Sequence, residues 1–301
     1  MNKNGIRLVV IPTYKNLKTD NYYIFNDKYQ DNSVLDTILL DQIIKRLKND
    51  FEILQIEIYC ECTNCVSDFY FTILYYLLKS YSNKVILTTN LYNSNKDVLN
   101  RCDIINVNFN FLGFNNEKIE VFNIIKSLNS KKVLNIKTLD ICCGDIEQII
   151  KQLNNLNIKS WEIVPYHAYV NSKIVFKSYD YFESVVKKAL FHTKDMKFAF
   201  QNKLQLDEIL KIDNYNIKTI YITPHNTYGL IDFTKNNEFQ MLEYEKIEDL
   251  YDKLDKMEKI RDNFCYNCNS KIRCLANRFI NTNYTGKSCS GFKNLIDFYD
   301  K

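Results

Sequence analysis

Short apolar runs rich in β-branched residues alternate along the first two thirds of the chain with longer stretches whose apolar residues recur every three or four positions. The first kind reads as buried strands and the second as amphipathic helices. Strands are expected at 6–11, 54–59, 84–89, 103–109, 132–139 and 160–165. Helices are expected between them, at 31–48 with Ser33 as cap, then 67–79, 95–100, 117–128 and 145–156, and a sixth follows at 179–191. Six consecutive βα units imply a parallel sheet with helices outside it. They fit an α/β fold built as an open or partial (β/α)6 TIM-like barrel better than a closed eight-fold one, although a doubly wound sheet remains compatible. In both arrangements chemistry is expected where the strands finish.

The alternation stops near residue 195. Beyond it, 197–205 and 218–223 read as strands, 228–233 as a hairpin arm entered through the turn-like 224–229, and 243–259 as a charged helix. The expected domains are therefore a barrel over 1–195 and a small β-hairpin and cysteine-rich unit over 196–301.

Composition sharpens this picture in two places. The 301 residues include only 6 Gly and 3 Pro, against roughly 21 and 15 at average usage, so there is no glycine-rich phosphate loop and no GxGxxG fingerprint. They also include 10 Cys. The N-terminal residues show no secretory signal pattern, and no stretch is apolar for a membrane-span length, so a cytoplasmic protein is expected and its thiols point to metal or redox chemistry rather than disulfides. The net charge of +4 is spread along the chain, which reads as a solvated surface and implies neither nucleic acid nor membrane as partner.

Four thiols near the C-terminus have metal-site spacing. Cys265, Cys268 and Cys274 form C-x2-C-x5-C, and Cys289 follows after fourteen residues. A two-residue gap turns two sulfurs to one side, and four thiolates complete either tetrahedral zinc or a [4Fe–4S] cluster. Lys271, Arg273, Arg278 and Lys287 would offset their charge.

A six-unit barrel pattern followed by this cysteine segment resembles the radical SAM enzymes that carry a C-terminal SPASM domain, a family that matures peptides and proteins. The resemblance extends over essentially the whole chain. The family's terminal signature is C-x2-C-x5-C-x3-C and a later Cys; here Arg278 stands at the fourth position and Cys289 at the last. The resemblance implies that Cys265, Cys268, Cys274 and Cys289 hold one [4Fe–4S] cluster, with Zn2+ as the alternative. A second auxiliary cluster would be lost, because Thr234 stands where its hairpin cysteine should fall, although Gly229 is in place. After the first strand the family's cluster loop reads P-T-Y-K-C-N-L-K-C-x-Y-C. Pro12, Thr13, Tyr14, Lys15, Asn16, Leu17 and Lys18 keep its frame, but one cysteine is missing before Asn16, and Thr19 and Tyr22 replace the others. The family's G-G-E-P becomes Tyr59-Cys60-Glu61-Cys62. The resemblance therefore implies a degenerate member whose SAM site is altered at Thr19, Tyr22, Tyr59 and Cys60, with Glu61 retained. Binding of SAM is not expected.

Five more thiols gather after the second and fifth strands: Cys60, Cys62, Cys65, Cys142 and Cys143. They read either as a non-standard rim metal site or as incidental buried thiols. Cys102 reads as structural. His167, at the end of the sixth strand, reads as a rim hydrogen-bonder, and no catalytic residue can be specified. Two functions follow from the resemblance. One is a partner subunit that binds a precursor peptide or an active radical SAM homologue in ribosomal peptide (RiPP) maturation, in a possible hetero-oligomer. The other is a metalloenzyme that uses the auxiliary cluster and the rim thiols for redox or sulfur chemistry. A decayed relative with only a structural role is the third.

Overall fold

The computed structural model describes residues 4–14, 32–91, 94–111, 116–128, 132–165, 179–209, 218–233, 239–264 and 293–300. Six strands, β1 (Asn4–Val10), β2 (Phe51–Tyr59), β3 (Val85–Thr89), β4 (Ile104–Asn108), β5 (Val133–Leu139) and β6 (Ser160–Val164), occupy the expected positions. The helices after the first five are α1 (Thr37–Asp50), α2 (Asp68–Lys79), α3 (Lys96–Arg101), α4 (Asn116–Ser127) and α5 (Ile146–Leu153), and α6 (Tyr179–Phe191) follows β6. Beyond them come β7 (Ala199–Phe200), α7 (Gln201–Ile209), β8 (Lys218–Ile222), β9 (Tyr228–Phe233), β10 (Phe239–Tyr244), α8 (Ile247–Phe264) and α9 (Lys293–Tyr299). Among the described residues no helix is long and apolar enough to cross a membrane.

All ten strands lie in one sheet of order β10-β9-β8-β1-β2-β3-β4-β5-β6-β7. Every pair from β8 to β7 is parallel, and only the β8–β9 and β9–β10 pairs are antiparallel. The result is an α/β fold with a large, mostly parallel sheet. From β1 to β7 the order never reverses, unlike a doubly wound sheet. The strand β8 lies beside β1 in register Leu8↔Ile220, so the sheet runs without a break across the boundary expected near 195.

Successive strand residues face opposite sides of a sheet. One set (Leu8, Ile58, Leu87, Val107, Ile136, Ile163 and their like) is fully buried in one apolar cluster with Leu40, Ile44, Phe71, Leu74 and Leu153 from the helices. Helices therefore cover this face. The alternate set carries the polar residues, and it forms the other face.

Three expectations needed correction. The first helix starts at Thr37, not at 31, because the Asp36 carboxylate accepts from the Ile38 and Leu39 N–H groups and caps it there. Val34 sits instead in an isolated bridge to Thr13. The stretch 197–205 is strand only at Ala199–Phe200. It then turns helical, and Asn202 grips both the N–H and the C=O of Ile163 at 2.8 Å. Finally, the helix expected over 243–259 begins at Ile247, because Leu242, Glu243 and Tyr244 pair with β9.

Candidate functional site

On the polar face, side chains from six adjacent strands form one hydrogen-bonded rank. The Ser160 hydroxyl on β6 donates to Asn135 Oδ1 on β5 at 2.7 Å. Asn135 Nδ2 donates to Asn106 Oδ1 on β4 at 2.9 Å, and Asn106 Nδ2 to Thr88 Oγ1 on β3 at 3.4 Å. Thr88 donates to Glu57 Oε1 on β2 at 2.6 Å, and Arg7 on β1 closes the rank with an ion pair to Glu57. Four consecutive donors thus point the same way and end on a carboxylate, an arrangement whose bonds polarise one another. Burial alone would raise the Glu57 carboxyl. The charges of Arg7 and Lys137, with hydrogen bonds from Thr88 and Arg7, outweigh it and hold the group down to about 2. Tyr221, buried on β8 behind this pair, is pushed upward by its burial.

The C-terminal end of β2 is filled by its own side chains. Tyr59 donates its hydroxyl to Glu61 Oε1 at 3.1 Å, and both residues are buried. The Glu61 carbonyl accepts from the Thr89 hydroxyl at 2.9 Å and from the Asn90 N–H at 3.3 Å. The chain then leaves β3 through Leu91, fully buried at φ 61°, a left-handed conformation that costs a leucine on the order of 1 kcal/mol.

The rim thiols divide between environments. Cys60 and Cys143 belong to the apolar cluster under the helices. Cys142 instead packs with Leu139 and Val164. Cys60 donates to the Cys62 carbonyl at 3.1 Å, and Cys65 is half-buried. Burial first, and neighbouring negative charge second, pushes Cys60 and Cys142 up to about 12 and Cys143 well above its usual value. These thiols stay protonated near neutral pH in the metal-free chain. Among the described residues no three His, Cys, Asp or Glu side chains converge on one point as metal ligands would. Cys102, under the helices, is raised to about 12 by its burial.

Sequence reasoning missed one cluster at this end. Glu243 on β10 takes the Tyr14 hydroxyl on Oε1 at 3.1 Å. Its Oε2 accepts from Thr223 at 2.8 Å and Thr227 at 2.5 Å, with His225 Nδ1 at 3.3 Å. The carboxylate ties the exit of β1 to the β8–β9 turn. The three residues of that turn lie sixteen to twenty positions away in sequence, so no local motif marks the cluster. The polar rank did leave a signal, in the polar residues that interrupt apolar strands at every second position.

Thr19, Tyr22, His167, Cys265, Cys268, Cys274 and Cys289 lie outside the described residues. The helix α8 ends at Phe264, directly before Cys265, and α9 starts at Lys293. As a donor set the four cysteines fit tetrahedral zinc or a cubane cluster, and they are the residues that would hold it. At the end of β2, where the family's motif has its glycine pair, this chain has Tyr59 and Cys60, and the Tyr59 hydroxyl is bonded to Glu61.

The sequence matches no protein-family model and no curated protein. Among solved structures the chain is similar to SuiB of Streptococcus suis, with a TM-score of 0.54 at 16% identity over 75% of this chain and 60% of that one. SuiB bound to S-adenosylmethionine matches with a TM-score of 0.52, also at 16% identity. The chain therefore spans less than two thirds of the SuiB length. The likeness is one of fold, and it agrees with the radical-SAM-like fold expected from the sequence.

Proposed function

We propose that the chain is a radical-SAM/SPASM-like protein without the SAM-binding cluster, acting as a peptide-binding or partner subunit in ribosomal peptide maturation. In this reading 1–195 is a degenerate partial (β/α)6 barrel, and 196–301 carries a SPASM-like segment in which Cys265, Cys268, Cys274 and Cys289 hold one [4Fe–4S] cluster or zinc.

The observation that carries the reading is the end of β2. Tyr59 and Glu61 satisfy each other, and Cys60 turns its protonated thiol into the helix layer. SuiB is known with S-adenosylmethionine bound. The residue types at this strand end argue for a different use of the same fold. A recognition role is supported on the outside as well. The helices α1 and α2 leave Ile38 at 71%, Phe69 at 75% and Tyr76 at 64% exposure, side chains that a partner would cover.

Co-expression tests the reading. The tagged chain, produced with a precursor peptide and an intact radical SAM homologue from its own genome, is expected to retain at least one of them through affinity and size-exclusion steps. A stable monomer with no affinity for either would overturn the proposal.

A further inference from the structure

The far end of the polar face, where the strands begin, encloses a second feature that the rim reading does not use. Residues of β1 to β6, β8 and α7 line a cavity of about 530 Å³, within the usual size of small-molecule sites. Its members sit at strand starts, such as Ile104, Val133 and Ser160. The sheet curls enough around it for Glu162 on β6 to act electrostatically on Arg7 of β1. In a flat sheet those strands would stand roughly 24 Å apart.

The wall is built of both signs. Arg7, Lys84 and Lys137 supply cations, and Glu162 and Glu208 supply carboxylates. Lys137 faces Glu162 in register across β5 and β6, and Glu208 adds a second carboxylate on the α7 side. Two buried polar atoms in the wall have no hydrogen-bond partner: the donor Arg7 Nε and the acceptor Gln205 Oε1. Gln205 is only 8% exposed, and its amide nitrogen is already committed to Glu162 Oε1 at 2.8 Å. An unmet buried donor on β1 and an unmet buried acceptor on α7 each carry a desolvation cost, and both belong to residues that line the cavity.

These features select a ligand class. No aromatic ring stands among the described lining residues, so a nucleobase or sugar ring finds nothing to stack on. Glu162 and Glu208 share the wall with the cations, which favours a ligand that carries both signs over a phosphate. What remains is a molecule with an acceptor at one end and N–H donors at the other. We infer that this cavity binds a small zwitterion whose carboxylate and ammonium stand several bonds apart, an ω-amino acid or a short peptide. Its carboxylate sits toward Arg7 and Lys84, and its ammonium toward Glu162 and Gln205. An α-amino acid such as glycine carries both groups on one carbon and cannot reach both walls. The inference does not depend on the partner role proposed above.

Calorimetric titration of the full chain tests it, with ε-aminocaproate and triglycine as probes and glycine and N-acetyl-triglycine amide as controls. At least one zwitterionic probe is expected to bind at one site per chain in the millimolar range or tighter, and neither control to bind comparably. Binding of ε-aminocaproate alone identifies the ω-amino acid class, and of triglycine alone the peptide class. Gln205→Leu and Glu162→Gln should each weaken that binding about tenfold or more, with the melting temperature of the unliganded protein near wild type. Silence from both zwitterions would overturn the inference. So would equal binding of the blocked peptide, or unchanged affinity in both variants.

Discussion

Protonating the buried Glu57 would leave the half-buried Arg7 guanidinium without its partner charge. The folded-state value of that carboxyl, about 2, lies below its ordinary 4.5, so its contribution is complete above about pH 4.5 and fades as pH falls toward 2. Urea midpoints measured from neutral to acid pH should decline through that window. In Glu57→Gln the decline should be shallower, and stability at neutral pH should drop by about 3 kcal/mol, the usual cost of stranding one member of a buried pair. An unchanged midpoint at neutral pH would count against the rank as a structural unit. The thiols give a second residue-scale expectation. Iodoacetamide at neutral pH should modify half-buried Cys65 well before Cys60, Cys142 and Cys143, which are buried and held protonated. Peptide mapping by mass spectrometry separates the four, and early labelling of Cys60 would contradict the burial described.

At the scale of elements, caps and close approaches decide where the chain turns. Asp36 both caps α1 and donates its own N–H to the Asn226 side-chain oxygen at 3.1 Å. Asp36→Ala removes the cap alone and should cost about 1 kcal/mol, read as a shift in the denaturation midpoint. Gly229 is held by space. A Cβ there would lie 2.7 Å from Met241 Sδ and 3.0 Å from Tyr221 Cβ, so Gly229→Val should force β9 away from its neighbours at about 2 kcal/mol. Wild-type stability in that variant would show that the hairpin packs differently. Both positions steer the β8–β9 turn that carries Thr223, His225 and Thr227 to Glu243.

For the molecule as a whole, local periodicity revealed what local periodicity creates. The six parallel strands and their helices could be read within a few residues, because each buries its own apolar stripe. The sheet beyond β6 could not. The pairing of β8 with β1 joins residues more than two hundred positions apart, and the strand β10 was hidden in a charged stretch that only β9 makes extended. The polar rank was written in the strands, in Glu57 between Ile56 and Ile58, Asn106 before Val107 and Ser160 before Trp161. It stayed unseen because alternation says that these residues share a face, not that the sheet curls to bring β1 and β6 around one cavity. Of the candidate site, the altered residues of the β2 end were legible from the family resemblance. Their mutual bonding was not, since it depends on rotamers that the spacing of Tyr59 and Glu61 leaves open.

The proposed function requires a chain that does not bind SAM, with Tyr59 and Cys60 in place of the family's glycine pair. Equilibrium dialysis of the anaerobically purified, iron- and sulfide-reconstituted protein against labelled S-adenosylmethionine tests this directly. No saturable binding is predicted, in the wild type or in Glu61→Ala. Saturable binding at one molecule per chain, weakened by Glu61→Ala, would contradict the account and return the protein to S-adenosylmethionine chemistry.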